Sequence, residues 1–320
     1  MEKAEGRNHT PVTEFILLGF GNDPELQPLL FLIFLTVYLV TLAGNVLIIV
    51  LVVADRHLQT PMYYLLGNLA CLEACFTSTI LPRYLTSLLT EDRAVPVKGC
   101  IVQLYFFAVL SAAENLLLAA MSYDRYVAIC NPLRYAALMN GSVCIKLVAG
   151  CWISSLLGCA IVNNFLYRLT FCDSKQIDHF FCAFVPMMQL SCSDIQIVQL
   201  LGFIVAAIGA LVPLVLTLVS YACIITTILR IPSAIGRKKA FSTCSSHLIV
   251  VTLHYTIVIV VYLVPIVTPG IEQQKIFSVF CTILTPMINP MIYCLRNKEV
   301  KESLRKSLNK LVTFTNRHSI

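Results

Sequence analysis

The sequence predicts an all-α fold, a bundle of seven transmembrane helices, from its composition and from its long charge-poor apolar runs. Of 320 residues, 58% are hydrophobic and 12% charged, with a mean hydropathy of +0.81; soluble domains carry about a quarter charged residues. Lipid must therefore be part of the solvent. Runs without charge extend over Leu26 to Ala54, Leu147 to Tyr167, Ile195 to Leu229, Ala240 to Ile271 and Ile276 to Leu295, each at least the roughly 20 residues that a helix needs to cross a bilayer. Pro61 to Pro82 and Gly99 to Tyr123 hold one acid each, Glu73 and Glu114, and complete the seven. Barrel strands alternate outward and inward residues over only about 10 positions, so continuous apolar runs exclude a barrel.

The chain divides into a polar amino-terminal tail (1–27), a seven-span domain (28–295) and a basic tail (296–320). With the amino terminus outside, 15 of the 23 Lys and Arg fall on the cytoplasmic side, as positive-inside bias requires. The net charge of +6 then reads as attraction to membrane lipid and partner surfaces; nothing points to nucleic acid. No apolar signal-peptide core precedes Glu25, so span one is expected to act as an uncleaved anchor. Asn8, His9 and Thr10 form a glycosylation sequon on the outer tail; a second, at Asn140, falls on the cytoplasmic side and is expected to stay unmodified. In the basic tail, Val300, Leu304, Leu308 and Leu311 recur at helical spacing among Lys and Arg, a short amphipathic helix suited to lie on the inner leaflet.

Four of the 14 cysteines, Cys100, Cys172, Cys182 and Cys192, fall at extracellular positions where disulfides persist, and four cysteines allow three pairings. His179 and Cys182 resemble half a metal site, but a disulfide explains Cys182 more simply, and no metal is expected. Charge inside a membrane costs free energy, so Glu73 and Glu114 mark function, or else are protonated acids bonded to neighbouring helices. If both ionise in one bundle they repel, and must share a proton or a cation or stand apart.

Span three ends in Met121, Ser122, Tyr123, Asp124, Arg125, Tyr126, Val127, Ala128, Ile129 and Cys130. An arginine beside an aspartate at a membrane edge is a charge pair that can be held or released. Span seven carries Pro286 and Pro290 around Asn289, then Tyr293. The two prolines remove backbone donors, and Asn289 is expected to bond the freed carbonyls at a deformable point.

With these motifs the chain resembles a rhodopsin-like G-protein-coupled receptor and, more narrowly, an olfactory receptor. The resemblance rests also on Gly44 and Asn45, on Pro61, Met62 and Tyr63, on Ser220 and Tyr221, on Lys239 to His247, and on Leu295, Arg296 and Asn297. It implies disulfides Cys100–Cys182 and Cys172–Cys192. It implies a switch in which Arg125, Tyr221 and Tyr293 rearrange, with Asp124, Tyr126, Asn289 and Pro290 around them, to admit a stimulatory, olfactory-type heterotrimeric G protein and raise cyclic AMP. A polar core of Asn45, Glu73 and Glu114 is implied, with a sodium ion near the two acids; no other cofactor is expected. It implies a multi-pass protein of the plasma membrane. The chain departs from the family pattern at Gln59, at His254 and Thr256 flanking Tyr255, where Phe and Gly are usual, and at Cys281. His254 and Cys281 are expected toward the outer half.

Counting back from Arg125 with the helical period places Phe107, Ala108, Ser111 and Ala112 on the bundle face, with Asn115 a turn deeper. Val205, Ala206 and Gly209 of span five, Tyr255, Val258, Ile259 and Tyr262 of span six, and Val279 and Thr282 of span seven complete the expected wall. That wall is apolar with a few hydroxyls and has no carboxylate at Phe107, which favours a neutral volatile over a cationic amine. Helix packing explains each residue singly, so the set is a neighbourhood. A lipid or other small-molecule receptor outside the olfactory group is one alternative. A secondary transporter needs two related halves and broken helices, which are not evident. No nucleophile–base pair or His-Glu-x-x-His motif suggests an enzyme.

Overall fold

The computed structural model describes residues 12–20, 23, 25–172, 174–267 and 271–318, with side chains at all of these except 261–267, 271–274, 295, 296, 308 and 310–318. Asn8 and the side chains of Tyr262, Leu308 and Leu311 lie outside the described residues.

Seven helices are long and apolar enough to cross a membrane. Spans one to six are Leu26–Ala54, Pro61–Thr90, Val97–Cys130, Gly141–Leu166, Gln196–Leu229 and Ala234–Val267; span seven is built from Ile271–Val279, Phe280–Leu284 and Thr285–Arg296. Most outrun their apolar cores, because helical hydrogen bonding continues into the interface until a local signal stops it. Pro61 starts span two at a first-turn position where its missing N–H costs nothing. Asn140 caps span four, its side chain accepting from the Val143 N–H at 3.0 Å. Glu91, in the left-handed conformation at φ 57°, ends span two.

Span three is central: 61% of its most apolar stretch is buried by protein, against 11% for span five. Phe203, Val53 and Leu229 are among many large apolar side chains left uncovered; in water such surface would associate, and lipid is its solvent. The main core joins spans one to four, six and seven through Ile48, Leu66, Leu117, Cys151, Val250 and Tyr293.

Span seven shows how prolines are accommodated. The Pro286 carbonyl would ordinarily accept from residue 290, which is a proline without an N–H. Asn45 of span one donates to it instead, at 3.1 Å. The π-helical turn Phe280–Leu284 lies just before Pro286, and the Thr285 hydroxyl donates to the Phe280 carbonyl at 2.9 Å. Asn289, expected to cap freed carbonyls, donates to Glu73. Packing decides this: the Glu73 carboxyl lies within reach of the Asn289 amide, while Asn45 already occupies the Pro286 carbonyl.

The outer mouth carries a small sheet that the helical reading of the chain does not include. Strand β1 (Glu14–Leu17) pairs antiparallel with β2 (Ala94–Pro96) and parallel with β3 (Gln176–Ile177), in the order β2-β1-β3. Alternation buries Phe15 and Leu17, and Phe15 meets Phe171 edge-on at 5.1 Å. Disulfides join Cys100 to Cys182 and Cys172 to Cys192. On the other face the tail helix Lys298–His318 turns Val300 and Ser303 inward and leaves Lys301, Glu302, Arg305 and Lys306 exposed.

Candidate ligand pocket and activation switch

At the cytoplasmic end of span three, Asp124 is fully buried and pairs with Arg125, whose Nε lies 3.0 Å away. Its other oxygen accepts from the Tyr135 hydroxyl at 2.8 Å. Tyr135 sits in the loop after span three, and burial, with the negative charge of Asp124, pushes its phenol up from the ordinary range. Asp124 thus holds Arg125 sideways and the loop inward at once. A few residues away the Tyr221 hydroxyl and His247 Nδ1 meet at 2.7 Å, linking spans five and six. Tyr126 packs half-buried beside Tyr221, Ile224, Ile228 and Cys244, and Tyr293 is buried to 1%. His247 belongs to the Lys239–His247 motif, yet only the fold shows that its partner is Tyr221.

Deeper in the bundle, Asn289 ties span seven to Glu73 of span two, and Pro290 packs on Gly44, where an added Cβ would lie 3.2 Å from the proline ring. Asn45 holds the Thr41 and Pro286 carbonyls. Glu114 faces His254, with Nδ1 3.1 Å from Oε1, while His254 Nε2 lies 3.0 Å from Asn115 Oδ1. His254 therefore sits against the acid of span three, deeper than its expected place toward the outer half.

Of the residues expected to line the pocket, Phe107 packs between Phe76 and Phe181 at 5.2 and 5.1 Å, joining inner and outer cores. Ala108, Ser111 and Ala112 are half-buried along the same face, and Gly209 of span five approaches Ala112. Tyr255 is buried edge-on to His254, Val258 is half-buried, Thr282 is buried, and Val279 packs on the cluster of Phe34 and Phe180. Three placements need correction. Ala206 is exposed on the lipid side, Ile259 is 45% exposed, and Val205 turns toward Gly158 of span four. Neighbouring positions on a helix differ by about 100°, so only a narrow stripe of span five faces span three.

The outer wall includes Gln103, Lys275 and Asp178, which sequence reasoning missed, and gives His179, weighed as half of a metal site, a different partner. Gln103 donates to the Thr79 carbonyl at 2.8 Å and accepts from the Cys182 N–H at 3.1 Å, fastening the loop to spans two and three. Lys275 is buried, pairs with Asp178 and donates to the Gly19 carbonyl at 3.1 Å. His179 reaches Ser278 at 3.2 Å, and burial, then the Lys275 charge, lowers its pKa to about 4. Polar residues at the ends of apolar runs were the only signal for these contacts.

The olfactory receptor family profile matches residues 34–310. Olfactory receptor 5M5 of Mus musculus is 46% identical over 305 residues, covering 95% of this chain and 96% of the relative. Olfactory receptor 6Y1 of Homo sapiens is 45% identical over 302 residues, covering 94% and 93%, and olfactory receptor 6C3 of Homo sapiens is 44% identical over 309 residues, covering 97% and 99%. Similarity of this extent spans both the pocket neighbourhood and the cytoplasmic switch. The chain belongs to the olfactory receptor family, multi-pass plasma-membrane receptors that take odorants and couple to G proteins and are not enzymes.

Proposed function

We propose that this receptor binds a small, mostly apolar volatile in the outer half of the bundle and activates a stimulatory, olfactory-type G protein, raising cyclic AMP. The observation that carries the ligand class is the wall of Phe107, Ala108, Ser111, Ala112, Gly209 and Tyr255: small and aromatic side chains with few hydroxyls. Such a surface rewards burial of an apolar molecule and offers little to a cation. Glu114, one helical turn along span three from Ser111, faces His254. The ligand-binding neighbourhood is Phe107, Ala108, Ser111, Ala112, Asn115, Gly209, Tyr255, Val258, Val279 and Thr282.

The switch supports the second half of the proposal. Arg125 is held by Asp124, and Tyr221 by His247, so both must change partner before a cleft opens between spans three, five and six. A ligand that prefers the open arrangement shifts the population toward it, and only by its differential affinity for the two states. Cells expressing the chain with an olfactory-type G protein, challenged with a panel of neutral volatiles, are expected to raise cyclic AMP. Arg125→Ala, at equal surface expression, is expected to lose the response. A wild-type receptor at the surface that stays silent to every volatile and answers a lipid would move the ligand class to lipids.

A further inference from the structure

His254 stands on span six where the family resemblance leads one to expect Phe, and both of its ring nitrogens face span three. Nδ1 lies 3.1 Å from Glu114 Oε1 and Nε2 3.0 Å from Asn115 Oδ1. The Asn115 amide has a defined orientation, because its Nδ2 donates to the Ser111 carbonyl at 3.0 Å. Its oxygen therefore faces the ring, and Nε2 carries a hydrogen. Nδ1 stands 3.1 Å from Glu114 Oε1, an ion-pair distance at which Oε1 keeps no hydrogen bond of its own among the described residues. An imidazolium facing a carboxylate, or a neutral ring facing a protonated acid, leaves the pair with no net charge.

A bound monovalent cation would supply that same neutralisation to Glu114. His254 is 6% exposed and Glu114 5%, with Tyr255 edge-on to the imidazole at 5.2 Å. The other acid, Glu73, takes a hydrogen from Asn289; the buried oxygens near it without a hydrogen-bond partner among the described residues include the neutral amide oxygens of Asn45 and Asn289 and also Glu114 Oε1, whose nearest charged neighbour is His254 Nδ1 at 3.1 Å. Hard cations are held by several oxygens, carboxylates foremost. Here one of the two carboxylates is already taken.

We propose that His254 is the built-in counter-charge of Glu114, standing in for the sodium ion that the family resemblance implies, and that it latches span six to span three. Sodium then gains nothing at this core, and removing either partner breaks the same contact.

The test is thermal unfolding of the purified full-length receptor in sodium chloride and in potassium chloride at equal ionic strength. The wild type, His254→Phe, Glu114→Gln and the double variant are compared. Wild-type melting is expected to be the same in both salts. Each single substitution is expected to lower the melting temperature by several degrees, and the double variant to lie no lower than the worse single one, because both remove one shared interaction. A sodium-specific rise in the wild type overturns the proposal, as does a double variant in which the two losses add. Should His254→Phe fail to fold, His254→Gln replaces it, keeping a donor toward Asn115 but unable to take a proton; the wild-type salt comparison stands in any case. These readouts use neither odorant nor G protein, so they fail separately from the proposed function.

Discussion

At the residue scale, the structure depends on individual buried polar contacts. The Tyr221 hydroxyl is the only group placed 2.7 Å from His247 Nδ1 among the described residues. Tyr221→Phe removes it, and an orphaned buried nitrogen costs about 1–3 kcal/mol. The expected result is a lower melting temperature for Tyr221→Phe than for a control, Tyr123→Phe, whose ring is 40% exposed; equal values would argue that the pair contributes nothing. His179 gives a pH dependence. Its pKa of about 4 in the fold lies below the ordinary value of 6.5, so the unfolded chain takes up the proton first as pH falls. Stability is flat above about 6.5 and declines between 6.5 and 4, by at most ~3 kcal/mol. Melting of the wild type at pH 7.5 and pH 5 is expected to show this loss, and His179→Gln to reduce it.

At the element scale, each connection has a different physical basis. Spans one and seven approach through Gly44 and Pro290, where a Cβ would already sit 3.2 Å from the ring. Gly44→Leu is expected to force the helices apart and destabilise by about 1–3 kcal/mol, read as reduced surface expression and a lower melting temperature, while Gly44→Ala needs a shift of only tenths of an ångström. The two disulfides close loops of very different length, 82 and 20 residues. In the chain-entropy account the longer loop stabilises more, by ~4–5 kcal/mol against ~3 kcal/mol. Cys100→Ser is therefore expected to lower surface expression more than Cys172→Ser. How much of this was legible in the sequence varies by element. The spans were, because a continuous apolar run is a local property. The β1 strand was not: Phe15, Ile16 and Leu17 are too few to declare a strand before β2 and β3 are known to flank them.

At the scale of the whole molecule, two layers of chemistry are separated along the bundle. The outer layer is a lid of strands, disulfides and the Lys275–Asp178 pair with Gly19. The inner layer is the Asp124, Arg125, Tyr135 cluster beside Tyr221 and His247. Between them lie Phe107, which packs on Phe181 of the outer loop and on Phe76 of the main core, and, on the same level, Ser111 and Tyr255. In the proposed reading, a ligand at the middle level would touch spans three and six, whose inner ends carry the Asp124–Arg125 and Tyr221–His247 contacts, and so would connect an outer event to an inner cleft. The orientation follows from charge, so an epitope tag at the amino terminus is expected to be reachable on intact cells and a carboxy-terminal tag only after permeabilisation.

The sequence by itself determined the fold class, the number and order of the spans, their orientation and the motifs at the cytoplasmic ends of spans three and seven. Those follow from run length, charge bias and residues adjacent in the chain, all readable locally. Only the tertiary structure decided which faces meet. Ala206 and Ile259 turn to lipid because rotation about a helix axis is set by the neighbours it packs on, and a few tens of degrees move a residue from pocket to bilayer. Asn45, not Asn289, completes the Pro286 carbonyl across 241 residues of sequence, and His254, expected toward the outer half, lies against Glu114. Partner choice for a buried polar group is decided by proximity in space, and that proximity exists only once the helices have packed.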